Sequence, residues 1–324
     1  RLPVSTYRSQ KRGGKGVIGM DTKEDDFVEH LFTTNTHHTL LVFTNKGKAY
    51  RLKAWEIPEL GRTARGTPII NLLQIDQGET INAVIPIESM EADKFLFFAT
   101  RKGIVKKTPL ADFANIRRAG LIAILLREDD ELVGVKLTDG SRTIIMGTSQ
   151  GMSICFPEQD VRPMGRSAGG VKGIHLSDGD RVVGMDVVDE SRDVLIVTAK
   201  GYGKRTPVSE YRLQTRGGKG IKTLNVTGKN GNVVGLKVAD AQQDLMIMTA
   251  AGTLIRTGID GISSMGRNTQ GVRLIHIREE DEVATVAVVE RETEQENGNG
   301  ANAGSDCGAA DAAGGAPGAD GASG

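Results

Sequence analysis

The residues of this chain that could do chemistry are arginines and lysines set among glycines, in a seven-residue box that recurs six times. Guanidinium and ammonium groups supply positive charge and hydrogen-bond donors, and glycines let a phosphate group approach the backbone N–H groups. This combination favours binding of a polyanion over catalysis. Aligned on their last glycine, the boxes are QKRGGKG (10–16), LGRTARG (60–66), ANIRRAG (114–120), MGRSAGG (164–170), QTRGGKG (214–220) and MGRNTQG (265–271).

The third position of the box is arginine in five of the six copies. In the remaining box, Arg117 and Arg118 follow one and two places later. Because a repeat places equivalent residues at equivalent positions in space, we expect these side chains to form one band. The third-position residues are Arg12, Arg62, Arg166, Arg216 and Arg267.

A second basic position lies four residues after each of five recurrent glycines, and Cys155 is its one exception. Lys106 and Lys204 flank two of these bases. We expect this second set to join the same band and to contact the same partner. Its members are Arg51, Lys107, Arg205 and Arg256, and we add Arg65, Arg212 and Lys219 beside the boxes.

Five short apolar runs must position these bases, and each run meets one of the recurrent glycines. Segments rich in Val, Ile, Leu and Thr on either side of a glycine predict β-hairpins, because glycine accepts the positive φ of a tight turn. A box and a second strand pair with an acidic or polar turn follow each hairpin. The hairpins are predicted at 39–52, 95–108, 143–156, 194–206 and 245–257.

The repeat unit is about 50 residues long, and residues 3–16 and 207–220 are identical at 11 of 14 positions. We predict an all-β fold in which each unit is a four-stranded blade and the blades form a propeller, either a closed disc or an open spiral. Five units are complete, and the box at the N-terminus begins a sixth. The first box lacks the hairpin that should precede it. We therefore expect the chain to be a piece of a longer polypeptide.

Charge is distributed unevenly although the formal net charge is zero. Residues 1–289 hold 40 Lys and Arg against 34 Asp and Glu, which favours a polyanionic partner. Residues 291–324 are acidic and rich in Gly and Ala, a composition typical of disorder. We predict a folded domain over 1–290 and a disordered tail over 291–324.

Several other functions find no support in the sequence. It has no GxxxxGK[ST] phosphate loop, its five histidines are scattered, and its two cysteines form no disulfide framework. No apolar run is long enough to span a membrane. We expect a cytoplasmic domain with no catalytic residue, metal or cofactor of its own.

The box at 10–16 closely resembles the gyrase-A box, the Gln-Arg-Arg-Gly-Gly-Lys-Gly signature of the C-terminal domain of DNA gyrase A subunits. It departs only at Lys11, which keeps the charge. Residues 62–73, 230–235 and 264–272 resemble the same family, so the resemblance spans about residues 3–290. It assigns DNA wrapping to Gln10, Lys11, Arg12, Gly13, Gly14, Lys15 and Gly16.

The resemblance implies a six-bladed β-pinwheel that wraps double-stranded DNA around its edge without reading its sequence. Wrapping would let a holoenzyme of two A and two B subunits, using ATP and Mg²⁺, introduce negative supercoils into nucleoid DNA. The isolated domain is expected to be a monomer. Box 214–220 is unusually complete for a later blade, and we hypothesise that it shares the wrapping role.

Two alternatives remain open. The C-terminal domain of topoisomerase IV C subunits resembles this fold but lacks an intact box. A kelch-like protein-interaction propeller has a similar repeat length, yet only three boxes here contain the Gly-Gly pair that kelch blades require. Binding of single strands is disfavoured, because the chain has few aromatic residues for base stacking.

Overall fold

The computed structural model describes residues 1–2, 17–18, 34–61, 63–90, 93–278, 280–289 and 291. The chain divides into a unit of residues 1–291 and a second unit of residues 292–324. Apart from Arg291, the tail predicted at 291–324 lies outside the described residues.

The described part of the chain consists of β-strands joined by turns and short 3-10 segments. The strands are β1 (Val17–Ile18), β2 (Thr39–Thr44), β3 (Lys48–Lys53), β4 (Ile81–Ile87), β5 (Phe95–Thr100), β6 (Ile104–Pro109), β7 (Leu121–Ile122), β8 (Leu132–Thr138), β9 (Thr143–Thr148), β10 (Met152–Pro157), β11 (Val171–Lys172), β12 (Val182–Val187), β13 (Asp193–Thr198), β14 (Tyr202–Pro207), β15 (Ile221–Lys222), β16 (Val233–Ala239), β17 (Asp244–Thr249), β18 (Thr253–Gly258), β19 (Val272–Arg273) and β20 (Val283–Val289). The 3-10 segments are Ala54–Glu56, Ile69–Asn71, Leu110–Phe113, Glu158–Asp160, Val208–Glu210 and Ile259–Gly261.

The strands form five antiparallel sheets of four strands, which we call blades 1 to 5. In strand order they are β4-β2-β3-β7, β8-β5-β6-β11, β12-β9-β10-β15, β16-β13-β14-β19 and β20-β17-β18-β1. Each predicted hairpin forms the middle of a blade. The inner strands β4, β8, β12, β16 and β20 pack against one another in succession.

The outermost strand of each blade comes from the next unit along the chain. In blade 1, for example, β3 pairs with β7, which follows box 114–120 and brings Ile122 opposite Lys48. In blade 5 the outermost strand is β1, which follows box 10–16 and pairs with β18. Neighbouring units are therefore held together by backbone hydrogen bonds as well as by side-chain packing.

This exchange corrects the predicted fold class. We predicted six blades, one for each box, and that count is wrong: the described residues form five four-stranded sheets. The box at the N-terminus does not add a sheet, because its following strand completes the blade built on the fifth hairpin. The number of boxes therefore exceeds the number of sheets by one.

A separate hydrophobic core fills each space between consecutive blades. In β5, Leu96 and Phe98 face the core shared with blade 1, whereas Phe97 and Ala99 face the core shared with blade 3. Phe43 meets Phe98 edge to face at 5.5 Å between ring centroids. Burial on both faces explains why the hairpins read as continuous apolar runs rather than alternating ones.

The acidic turns support the hairpins. Asp130 accepts hydrogen bonds from Thr100 Oγ1 (2.7 Å) and from the backbone N–H of Lys102 (2.9 Å) in the hairpin turn of blade 2. Asp180 does the same for Ser149 and Gln150 in blade 3. In the part of the chain that the structure describes, no three metal-ligating side chains cluster, and no helix is long and apolar enough to cross a membrane.

Candidate nucleic-acid interface

Four boxes and the strands that follow them lie along the outer edges of the blades. We call this surface the rim: boxes 114–120, 164–170, 214–220 and 265–271, with strands β7, β11, β15 and β19. Box 10–16, with all seven of its predicted DNA-binding residues, and Arg62 lie outside the described residues. Their predicted roles therefore rest on the sequence.

Consecutive boxes are joined along the rim by a regular hydrogen bond. The acceptor is the carbonyl of the fifth residue within a box. The donor is the backbone N–H of the residue that lies five places beyond the end of the preceding box. Leu125 donates to Ala168 (3.2 Å), His175 to Gly218 (2.8 Å) and Asn225 to Thr269 (2.9 Å). The boxes therefore follow one another on one continuous edge, as the predicted band requires.

The last glycine of a rim box lies close to the blade before it. Gly220 has φ +76°, and a Cβ atom at this position would lie 2.2 Å from the carbonyl oxygen of Ser153 in β10. Gly170 meets Val105 of β6 in the same way, at 2.5 Å. These two glycines let the chain approach the preceding blade and pair with it, which accounts for glycine at the last position of their boxes.

The third-position arginines lie at the rim and also join neighbouring units. Arg216 donates from Nε to the carbonyl of Asp160 (2.9 Å) and from a terminal nitrogen to that of Lys172 (3.0 Å). Arg267 donates likewise to the carbonyl of Lys222 (3.1 Å). Both remain partly exposed, and Arg166 is exposed.

Box 114–120, which lacks the third-position arginine, forms a cleft with its neighbours. Arg51, Arg117 and Arg166 line a cavity of about 600 Å³ that has no acidic residue in its wall. Arg51 also donates to the carbonyl of Ala114 (3.3 Å). Arg118, the next residue of this box, is exposed. Exposed bases also lie in or beside other boxes, namely Arg65, Arg212 and Lys219.

Three rim bases were missed by the sequence reasoning. Lys172, Lys222 and Arg273 are the second residues of β11, β15 and β19, and all three are exposed. The sequence did contain a sign of them, since each stands two places after the last glycine of a box. In the first three units the equivalent residues are Ile18, Pro68 and Ile122, which hides the pattern.

The second predicted set of bases lies mostly in the interior. Lys107 and Arg256 are buried, and Arg205 is half-buried. Arg256 pairs with Asp244 at 2.8 Å, Lys107 donates to the carbonyl of Glu158 (3.0 Å), and Arg205 donates to that of Ile262 (2.8 Å). Lys107 and Arg205 thus join a hairpin to the connector before the next box, whereas Arg256 pairs within its own hairpin. Lys107 and Arg256 are too deeply buried to contact a partner directly in this structure.

Lys106 and Lys204 lie directly beneath two boxes with 0% of their surface exposed. Lys204 Nζ donates to the carbonyls of Gly266 (2.6 Å) and Arg267 (2.7 Å). Lys106 Nζ donates to the carbonyls of Ala123 (2.6 Å) and Arg166. They cannot form part of an exposed band, although they touch the boxes that do.

Burial lowers the pKa of Lys106 and of Lys204 to about 8. The carboxylates of Asp112 and Glu210 oppose this shift, whereas the guanidinium groups of Arg166 and Arg267 add to it. Both ammonium groups are therefore poised to lose their proton at a mildly alkaline pH.

Comparison with known proteins is consistent with this geometry. The family model described as "DNA gyrase C-terminal domain, beta-propeller" matches residues 1–35, 38–88, 94–139, 142–189, 192–240 and 243–290. Each of the six matched segments contains one box. Because the strand after a box completes the sheet of another segment, the described residues form only five complete sheets.

Relatives and solved structures agree with the family model. The chain is 69% identical to the DNA gyrase A subunit of Halalkalibacterium halodurans over 91% of its length, and 50% identical to that of Staphylococcus aureus strain MRSA252 over 92%. It spans about a third of the length of these relatives, 35% and 34% respectively.

A solved DNA gyrase A C-terminal domain matches with a TM-score of 0.80 and 26% identity, covering 88% of this chain and 94% of that one. A C-terminal domain of DNA topoisomerase IV matches with a TM-score of 0.72 and 29% identity, covering 84% and 85%. The family model covers nearly all of residues 1–290, and the chain therefore belongs to the DNA gyrase C-terminal domain family of β-propellers.

Proposed function

We propose that residues 1–290 bind double-stranded DNA along the rim and wrap it without reading its sequence. The observation that carries this proposal is that the described rim boxes follow one another with exposed bases at equivalent positions. Each box after the first is hydrogen-bonded to the segment that follows the preceding box. The proposed contact residues are Arg65, Arg117, Arg118, Arg166, Lys172, Arg212, Arg216, Lys219, Lys222, Arg267 and Arg273, with the residues of box 10–16 and Arg62.

A basic edge of this kind meets the requirements of DNA wrapping. Lysine and arginine neutralise phosphates and release condensed counterions, and this contribution to affinity does not depend on sequence. Bending a duplex of 20–30 base pairs costs roughly 1–6 kcal/mol, so contacts must be spread along the bend. Repeated units supply such contacts at regular intervals.

The role in a larger enzyme follows from the family. We propose that the domain serves a gyrase of two A and two B subunits in the cytoplasm, which uses ATP and Mg²⁺ to introduce negative supercoils. In this proposal the domain holds DNA and takes no part in the cleavage chemistry. By resemblance, the box at 10–16 is the element required for wrapping. Because box 214–220 is equally complete, we propose that it shares that role.

The kelch-like alternative predicts a different partner and a different surface. An interface for a protein is expected to have a core depleted in charge and enriched in aromatic residues. Instead, Lys172, Lys222 and Arg273 are exposed on the described rim, and Arg117 and Arg166 line a cleft whose wall contains no acidic residue. This composition favours a nucleic acid.

Binding to a linear duplex at increasing salt concentration tests the proposal. Each phosphate contact contributes a slope of about −0.9 to log K against log salt, so wrapping by many bases predicts a steep decline. A single strand of the same length should bind more weakly and show a shallower slope. Affinity for the duplex that does not change with salt would refute DNA binding by the rim.

A further inference from the structure

Boxes 164–170, 214–220 and 265–271 each turn at their third and fourth residues. The backbone takes two different conformations at this turn. In box 214–220, Gly217 has φ +83° and its N–H points inward, donating to the carbonyl of Gly173 (2.6 Å). In boxes 164–170 and 265–271 the fourth residues are Ser167 and Asn268, and neither has a positive φ. The first arrangement is typical of a type II turn and the second of a type I turn.

The peptide group between the third and fourth positions is therefore oriented oppositely in the two kinds of box. In boxes 164–170 and 265–271 the carbonyls of Arg166 and Arg267 point inward, because they accept hydrogen bonds from Lys106 and Lys204. The C=O and N–H of a trans peptide lie on opposite sides of the chain. The N–H groups of Ser167 and Asn268 consequently face away from the blade, toward the side from which DNA would approach.

The residue of the preceding blade that lies beneath the box differs between the same two kinds of box. Lys106 and Lys204 are the third residues of β6 and β14, and the third residue of β10, beneath box 214–220, is Ile154. Box 214–220 instead carries its own exposed lysine, Lys219, at its sixth position. In these three boxes a lysine is thus present either within the box or beneath it.

We propose that Lys106 and Lys204 are positioning residues for DNA, each holding the box above it so that the N–H of Ser167 or Asn268 contacts a phosphate, as Lys219 does in box 214–220. This inference rests on the proposed DNA binding and identifies how two of the boxes achieve it. Neither lysine touches DNA. Each acts through the orientation of one peptide group and through its own positive charge beneath the bound phosphate.

The proton on each lysine makes the contact dependent on pH. The charged groups that face Lys106 are Asp112 and Arg166, and those that face Lys204 are Glu210 and Arg267. Above about pH 8 these two lysines lose their charge in the free protein. A nearby phosphate favours the protonated form, so DNA binding takes up protons in this range.

The experiment uses the full chain and a linear duplex of about 150 base pairs, near one persistence length. Lys204→Ile places at this position the residue type that blade 3 carries. We expect it to weaken binding on the order of tenfold, as for loss of a charge-assisted hydrogen bond. Adding Gln270→Lys, which gives this box a lysine at the position of Lys219, should restore most of the affinity. Lys200→Ile, which removes an exposed lysine from a hairpin turn, is the control for loss of charge.

The pH profile provides a second measurement, made on the wild type and on a double variant whose folding is checked first. Wild-type affinity should fall between about pH 7 and pH 9.5, on either side of the lysine pKa, and the fall should be clearly smaller in the Lys106→Ile, Lys204→Ile double variant. A wild-type profile as flat as that of the double variant, or a Lys204→Ile defect that Gln270→Lys does not relieve, would overturn the inference. If the wild type binds no DNA at any pH, the proposed function itself has failed.

Discussion

Two sets of basic residues recur in this chain with similar regularity, and the structure places them in different environments. The bases of the boxes lie at the rim, where Arg166 and Lys219 are exposed. The bases four residues after the hairpin glycines lie largely inside, where Arg256 pairs with Asp244. Recurrence therefore identifies equivalent positions in a repeat, but it does not show whether those positions face solvent.

The physical reason for the difference is that a hairpin strand in this fold has a core on each side. A cation placed there must find a partner, because burying an unpaired charge costs several kcal/mol. Rim residues lie outside these cores and are exposed or partly exposed, so solvent can compensate their charge. The comparison predicts that the rim set governs DNA affinity and the interior set governs stability.

The largest effect should follow from neutralising the rim. We expect the triple variant Lys172→Gln, Lys222→Gln, Arg273→Gln to lose on the order of 10³-fold in duplex affinity and to show a salt slope shallower by roughly three. Titrations of a labelled duplex at several salt concentrations measure both. The matched control neutralises Lys46, Lys102 and Lys200 in the hairpin turns. If both triple variants bind equally well, the rim is not the DNA surface.

Breaking an interior pair should change stability and leave DNA binding intact. Arg256→Met removes one of the two guanidinium partners of Asp244, whose side chain is 0% exposed, and leaves Arg291 donating to the same carboxylate at 3.0 Å. We expect the free energy of unfolding to fall by about 2 kcal/mol, as for loss of one hydrogen bond to a charged group. Denaturant unfolding measures this change. A loss of duplex affinity by the folded variant, with stability unchanged, would reverse the roles assigned to the two sets.

Because of Lys106 and Lys204, we expect the free energy of unfolding and the DNA affinity to change in opposite directions as the pH rises. Their pKa is about 8 in the folded chain and about 10.4 when unfolded, so the unfolded chain binds more protons between these values. Their contribution to the free energy of unfolding therefore rises from about pH 8 to about pH 10, while DNA affinity falls. Unfolding curves of the wild type and the Lys106→Ile, Lys204→Ile variant isolate this contribution. Identical pH dependence in the two proteins would contradict it.

The smallest effect concerns an acid at the rim. Glu210 accepts the backbone N–H of Arg267 at 3.1 Å, and glutamine can accept the same hydrogen bond without the negative charge. Glu210→Gln should therefore raise duplex affinity about twofold, as expected for one exposed charge. Binding titrations measure the change, with Glu190→Gln in an exposed turn as the control. A decrease in affinity would show that the carboxylate itself is needed to hold the box.

Much of the fold could be predicted from the sequence, because the hairpins reveal themselves through apolar runs meeting at glycine. The number of blades was predicted wrongly because a short strand such as Leu121–Ile122 carries no sign of the hairpin with which it pairs. Burial of Lys106 and Lys204 was equally hidden, since their carbonyl partners lie about 60 residues away. The rim bases Lys172, Lys222 and Arg273 could have been found by aligning residues beyond the last glycine of the box.

The measurement that tests the central claim most directly is the linking number of a circular DNA closed in the presence of this chain. A relaxed plasmid is incubated with increasing amounts of the protein and a relaxing topoisomerase, and its topoisomers are separated after the protein is removed. Wrapping along the rim predicts a shift of the topoisomer distribution away from that of the protein-free control, growing with the amount of protein bound. A distribution that stays in place at saturating protein would show that the chain binds DNA without wrapping it.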